Sequence, residues 1–288
     1  MVEYYRRFLR YLISIWLGLV VASCALPIDG PLRDARDPGS EGEAWSEPAR
    51  IPVHEAEDAQ GEAAVRAMIY IGSSTWMAEA DSIEQTLRTH HYSYQEWTPS
   101  QLNQAQGVEL EMYQLLIIPG GYAPGLVSEL SVDARAMLRT AVREGIMDYL
   151  GFCAGAWLAV SPPEPDSDHR SYGIGFIDGP MQRHAPMEDA GGDYGLVEAR
   201  LWDGSVRKLL WWGGPSTPEA AQEGETVLAR YPGGEPAISV LRAGKGRAVL
   251  SGLHPTATQA VLNSIGVQSS ESIAPDITLQ LVKRALGR

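Results

Sequence analysis

One cysteine in this sequence stands where a nucleophile would stand. Gly151-Phe152-Cys153-Ala154-Gly155 joins an apolar strand to a helix, and the small residues on both sides of the thiol permit a tight strand–turn–helix elbow. Such a turn lifts the side chain above the sheet edge. It also sets the sulfur at a helix N-terminus, where unpaired N–H groups favour the thiolate. The Ala154 N–H is then placed to receive an oxyanion. Pro119-Gly120-Gly121 follows another apolar run, and glycines there let backbone N–H groups approach a ligand closely, a second source of oxyanion donors. Ser251-Gly252-Leu253-His254-Pro255 ends a third run, where His254 can act as base for Cys153. Each residue also has a plainer reading: Cys153 as an inert buried thiol, His254 as the partner of a sheet-edge carbonyl, Gly120 and Gly121 as a turn.

The elements that must position these residues follow from hydrophobic patterning. Apolar runs predict strands over 65–72, 113–119 and 147–152, with an alternating strand over 91–97. Helical spacing covers 78–90, 131–143 (with Ser131 as N-cap and Gly145 as stop) and a segment starting at Ala154. Short strands alternating with helices argue for a parallel sheet covered on both faces. The second half is predicted to be β-rich, with strands at 172–176, 195–202, 206–212, 227–231, 237–242 and 247–252, followed by a closing amphipathic helix over 276–286. These strands would extend the sheet near its carboxyl edge. No internal repeat and no linker interrupts the chain after residue 65, so 65–288 reads as one domain.

The segments 117–121 (IIPGG), 151–159 (GFCAGAWLA) and 244–255 (GKGRAVLSGLHP), in that order, resemble the class I glutamine-amidotransferase-like superfamily. Within it the likeness is greatest to the amino-terminal domain of biotin–protein ligases, through Cys-Ala-Gly-Ala at the elbow, Trp211-Trp212-Gly213-Gly214 midway, and the stretch from Pro236 to Pro255. The resemblance implies an α/β flavodoxin-like three-layer sandwich with a mainly parallel sheet and a β-rich C-terminal extension. It implies Cys153 as nucleophile and His254 as base, and no ligase activity, since the biotin-transferring domain has no counterpart here. Amidotransferases of this superfamily carry the triad acid two residues after the histidine, where this chain has Thr256. A hydroxyl cannot stabilise an imidazolium as a carboxylate does. Glu79 or Asp81, after the first strand, remain as acids that could approach the thiol, as one does in the PfpI-like branch.

The amino terminus carries its own chemistry. Three arginines within residues 1–10 precede an apolar stretch from Tyr11 to Val21, too short to span a hydrocarbon core comfortably. A basic start, a short apolar middle and small residues at its end describe a signal peptide, residues 1–23. Val21-Ala22-Ser23-Cys24 resembles the lipobox of bacterial lipoproteins, which implies diacylglycerol on Cys24 and cleavage before it. An uncleaved anchor is the alternative, and either places the rest of the chain outside the cytoplasm. Ala25, in place of an aspartate, favours the outer membrane. Residues 24–64 then form a lipidated cysteine and an acidic, Pro-rich tether, with ten acids against three arginines after the cysteine and a reach of about 35 Å.

Composition narrows the partners. The formal charge is -13, and removing residues 1–23, with three arginines against Glu3, leaves about -15. An acidic protein lacks the basic footprint that phosphate backbones require, so nucleic acid is not an expected partner. The partners expected are a membrane, through Cys24, and a small-molecule or peptide ligand. Cys24 and Cys153 each have a separate role and are not expected to form a disulfide. His54, His90, His91, His169 and His184 show no metal-ligand spacing, with His90 and His91 on opposite sides of a strand, and neither metal nor cofactor is expected. Trp211-Trp212 reads as core plus pocket wall. Two functions remain open: Cys-dependent amide hydrolysis or acyl transfer using Cys153 and His254, with Gly121 and Ala154 on the oxyanion, or a non-catalytic module that binds a small molecule or protein on a degenerate amidotransferase fold. A glutaminase fits least, because its ammonia would need a synthetase partner and an ATP supply outside the cytoplasm.

Overall fold

Residues 66–160, 173–179, 182–183, 194–267 and 274–288 are described by a computed structural model, and all lie in the unit Arg50–Arg288. Residues 1–65, with Cys24 and the acidic segment, and also His169 and His184, lie outside the described residues.

Three strands of mostly apolar sequence and one alternating strand set the frame. β1 (Arg66–Tyr70), β2 (Ser93–Trp97), β3 (Leu115–Ile118) and β4 (Asp148–Phe152) pair in parallel in the order β2-β1-β3-β4. Side chains alternate across a strand, and both faces here are buried. Ala67 and Ile69 join one core with Ile83 and Leu87 of α1 (Met77–Thr89), whereas Met68 and Tyr70 join the other. That second core takes in α2 (Pro99–Gln104), α4 (Ala123–Ser128) and α5 (Val132–Arg143) through Leu102, Leu126 and Leu138; the short α3 (Gly107–Leu110) precedes β3. The arrangement is the three-layer α/β sandwich that the sequence predicts. Ser131 caps α5 by accepting from the Ala134 N–H at 3.0 Å, and Gly145, at φ +76°, turns the chain out of the helix.

After β4 and α6 (Ala154–Leu158) the chain forms a small ladder of β5 (Gln182–Arg183) with β8 (Pro215–Ser216). The main sheet continues through β6 (Gly195–Leu201), β7 (Val206–Trp211), β9 (Thr226–Arg230), β10 (Pro236–Ala243) and β11 (Gly246–Ser251). β11 lies parallel to β4, and from there β10, β9, β6 and β7 run antiparallel, giving nine strands in one sheet. The short α7 (Gln259–Ser264) follows, and α8 (Pro275–Ala285) closes the chain, burying Ile277 and Leu281 in the core that holds α1.

Two expectations need correction. Residues 173–176 form no strand; Ile174 donates its N–H to the Leu158 carbonyl at 2.7 Å, its own carbonyl accepts from Arg139 Nε at 2.6 Å, and Ile174 and Phe176 are buried in the core. His90 and His91 are not in a strand either. They are exposed residues of the turn after α1, with His91 at φ +57°. Helices α2, α3, α4 and α7 are too short for helical periodicity to reveal.

The packing of α6 on β3 leaves no room at Gly155, where a Cβ would overlap the Ile118 carbonyl. Gly155→Ala is therefore expected to lower stability by about 2–3 kcal/mol. Gly107→Ala, where a Cβ meets nothing within 4 Å, is expected to be neutral. Urea unfolding of the two variants beside the parent checks both.

Candidate functional site

Parallel register brings three loops to one edge. Ile118 of β3 pairs with Gly151 of β4, and Phe152 of β4 pairs with Ser251 of β11. The chain segments leaving these strands, 119–121, 153–155 and 252–254, therefore emerge side by side at the carboxyl ends of the strands, where ligands bind in open α/β sheets.

Cys153 makes the turn between β4 and α6 with φ +44° and ψ -98°, a conformation that a side-chain-bearing residue adopts only when its surroundings enforce it. The enforcement is visible. Its N–H donates to the Ser251 carbonyl at 2.7 Å, Tyr149 Oη donates to the Gly155 carbonyl at 2.7 Å, and a Cβ at Gly151 would collide with Gly155. The thiol is free and only 7 % exposed, and its Sγ–H is directed at the Trp212 carbonyl, 3.3 Å away.

His254 is buried to 1 % exposure beside it. Its N–H donates to the Leu210 carbonyl at 2.8 Å, which fixes the backbone across to β7. A Cβ placed on Gly120 would lie 3.0 Å from His254 Cε1 and 3.5 Å from Cys153 Cβ, so the glycine is what allows thiol and imidazole to share this space. The imidazole Nε2 is buried and meets no hydrogen-bonding nitrogen or oxygen.

The other ring nitrogen identifies the acid. His254 Nδ1 lies 2.8 Å from Glu79 Oε1, and the Thr256 hydroxyl donates to the same oxygen. Glu79 Oε2 accepts from the Gly120 N–H. The carboxylate, itself 1 % exposed, is thus held by three donors from two segments of the chain. An Nδ1–H bond to a carboxylate leaves Nε2 as the nitrogen free to exchange a proton with sulfur. Burial alone would lower the His254 pKa, but the negative charge of Glu79, with the neighbouring Cys153 sulfur, outweighs it and pushes the group up to about 10. The imidazolium is the favoured form at neutral pH.

The carboxylate beside His254, one of the two acids that the sequence leaves open, therefore comes from α1, and Thr256, at the position where the resemblance would put an acid, donates to it. Glu79 approaches the imidazole, whereas Asp81 is exposed on the far side of the helix turn. The sequence does carry a signal for this. Glu79 stands in line with Ile83 and Leu87 at i, i+4 and i+8, a carboxylate on the buried stripe of an amphipathic helix.

The expected oxyanion donors separate. The Gly120 N–H is taken by Glu79, so this residue positions the acid and is not a donor to substrate. Gly121, at φ +147°, sits opposite Thr75 in an antiparallel bridge whose hydrogen bonds, Trp76 N to Gly120 O and Tyr122 N to Ser74 O, flank it. Its own N–H is not used by that pairing. The Ala154 N–H lies in the first turn of α6, where helix geometry supplies no acceptor.

Residues 65–172 match the family model described as biotin-protein ligase, N terminal. That span holds Cys153, Gly120 and Glu79, and it ends before His254. No significant match was found among curated proteins. Among solved structures, a glutamine amidotransferase matches with a TM-score of 0.53 at 18 % identity, covering 76 % of this chain and 98 % of that one. Two cytoplasmic proteins from Salmonella typhimurium match at 10 % and 14 % identity with TM-scores of 0.47 and 0.45, covering 77 % and 76 % of this chain and 98 % and 95 % of theirs. The fold is that of the amidotransferase-like group, with a β-rich C-terminal region.

Because the folded pKa of His254 lies above the ordinary value of about 6.5, the stability it contributes is fully present below that pH and is lost as pH rises through about 10. The melting temperature should fall across this window, and Glu79→Gln should flatten the fall. Cys153→Gly should be more stable than Cys153→Ala by about 1 kcal/mol, since glycine relieves the positive φ. Thermal scans at pH 6.5, 8 and 10 test the first expectation, and urea unfolding tests the second.

Proposed function

We propose that this amidotransferase-like domain is a cysteine-dependent amide hydrolase or acyl transferase, held outside the cytoplasm by a lipid on Cys24. The observation that carries the catalytic part is the buried line Glu79–His254 beside Cys153. A non-catalytic pocket has no need of a charged acid–imidazole pair whose remaining nitrogen is left without a nitrogen or oxygen partner beside a thiol at an enforced elbow.

In this reading the Cys153 proton already sits on His254 Nε2 in the resting pair, and the sulfur attacks the substrate carbonyl. The C–S bond forms as the carbonyl electron pair moves to oxygen, which the Ala154 and Gly121 N–H groups receive. Collapse restores the carbonyl and breaks the C–N bond, and the leaving amine takes the proton from Nε2. Water or another nucleophile, deprotonated by the same nitrogen, then displaces the thiol from the acyl group. Glu79 keeps the ring oriented through both half-reactions and stabilises its cationic form.

The membrane part rests on the basic, apolar and small-residue pattern of residues 1–23 ending at Cys24. Cys24→Ala is expected to move the protein from the membrane fraction to the soluble extracytoplasmic fraction; retention on the membrane would reject lipid anchoring.

The thiol is tested by iodoacetamide labelling of the full chain, read at the Cys153 peptide by mass spectrometry. Labelling at pH 7 is expected to fall at least tenfold in His254→Ala, and less in Thr256→Val than in Glu79→Gln. Thr256→Ser should restore the parent rate. Slow labelling indifferent to all these changes would replace the enzyme reading with a binding pocket.

A further inference from the structure

Three of the six described tryptophans are only half-buried, and each touches Cys153 or His254. Trp97 and Trp211 are core residues, 7 % and 2 % exposed, and Trp202 lies exposed at the end of β6. Trp76, Trp157 and Trp212 differ from these. Trp212 offers its carbonyl to Cys153 Sγ at 3.3 Å. The Trp76 ring stands edge-on to the His254 ring, with centroids 5.0 Å apart and planes at 81°. Trp157, one turn beyond the nucleophile, donates from its N–H to the Cys153 carbonyl at 3.0 Å and from Nε1 to the Gly213 carbonyl at 3.2 Å.

The rings continue one another. Trp76 meets Trp212 at 5.4 Å and 75°, and Tyr194 meets Trp212 at 5.1 Å and 47°. An aromatic line therefore runs from Tyr194 through Trp212 and Trp76 to the catalytic imidazole. One side of Trp76 is backed by the small core of Leu210, Ala257, Val261 and Leu262, which holds it in place. Half-buried rings of this kind offer apolar faces and positive edges at fixed angles. A flat apolar group fits them by losing water-exposed surface and by stacking or edge-on contact. A group carrying both an ammonium and a carboxylate, as free glutamine does, would be desolvated against the rings.

We propose that Trp76, Trp212 and Tyr194 form a specificity wall that selects acyl substrates bearing an aromatic or flat apolar group next to the reacting carbonyl. The assignment rests on the reading of Cys153 as nucleophile given above. It excludes free glutamine as the preferred substrate. It also distinguishes the wall from a cage for quaternary ammonium ions, the other use of clustered aromatic rings.

Three chloroacetamides that share one electrophile test it: N-methyl, N-benzyl and N-(2-trimethylammonioethyl). In each, the Cys153 sulfur displaces chloride, so that a C–S bond forms as the C–Cl bond breaks and the thiol proton is given up. Labelling of the full chain is followed at the Cys153 peptide against reagent concentration and normalised to each reagent's rate with glutathione. The N-benzyl reagent is expected to show saturation and to label at least tenfold faster than the N-methyl reagent at low concentration. That ratio should fall at least threefold in Tyr194→Ala and in Trp76→Leu; the half-buried outer end of the wall at Tyr194 supplies the result if the Trp76 variant does not fold. Equal normalised rates for benzyl and methyl overturn the wall while leaving the nucleophile intact. A fastest rate with the cationic reagent, or a ratio unmoved in the folded variants, overturns it too. A thiol inert to all three reagents rejects the nucleophile itself, and the wall with it.

Discussion

A carboxylate removed from water organises this domain. Placing Glu79 in the interior carries a desolvation penalty of several kcal/mol unless its oxygens are matched. Three donors match it: the His254 ring, the Thr256 hydroxyl and the Gly120 N–H. Bonds to a charged acceptor contribute about 1.5–3 kcal/mol each, so losing any one leaves an expensive vacancy. The donors come from the loops after β3 and β11, and the acceptor comes from α1. The same contact that orients the imidazole therefore fastens the first helix to two crossings of the sheet, and the geometry of the site and local stability have one origin.

The strand order explains why such a contact can form. β1, β3, β4 and β11 are consecutive neighbours in the sheet, all parallel, so the chain leaves each of them at the same edge. Residues far apart in sequence then meet without any long reach: Glu79 and His254 are 175 positions apart. The strain at Cys153 depends on this edge as well. Its positive φ is held by a hydrogen bond to β11 and by glycines at 151 and 155 that let β4, α6 and β3 close together. A larger residue at either position would push the elbow out of reach of His254.

Much of this was legible from residue pattern. Continuous apolar runs predict β1, β3 and β4; alternation predicts β2; glycine- and proline-bounded runs predict β6, β7, β9, β10 and β11, because each strand buries at least one face. The segment 172–176 has the same appearance, yet 173–176 form no strand, since apolar spacing reports burial and Ile174 and Phe176 are buried from an irregular backbone. Cys153, Gly120 and His254 stand out because their neighbours are small or turn-forming. Glu79 is marked only by its place on the buried stripe of α1, and what separates it from Asp81 is a partner in the distant loop after β11. The substitution of threonine two residues after the histidine looks like loss of the acid, whereas in three dimensions it marks the acid's new position.

That relocation changes how the two halves of the domain divide the chemistry. Cys153, Glu79 and the Gly121 and Ala154 N–H groups lie in the parallel half, within the span that matches the biotin-protein ligase N-terminal family. His254 lies beyond it, at the point where the sheet passes from parallel to antiparallel pairing. The antiparallel half is consequently no appendage: β7 fixes the His254 backbone through the Leu210 carbonyl, and the residue after β7 supplies both the carbonyl that holds the thiol and a ring of the aromatic wall. A chain truncated after residue 172 would retain Cys153 and Glu79 but would leave the carboxylate without its imidazole and its threonine hydroxyl. The buried charge would then work against the fold that it holds together in the full chain.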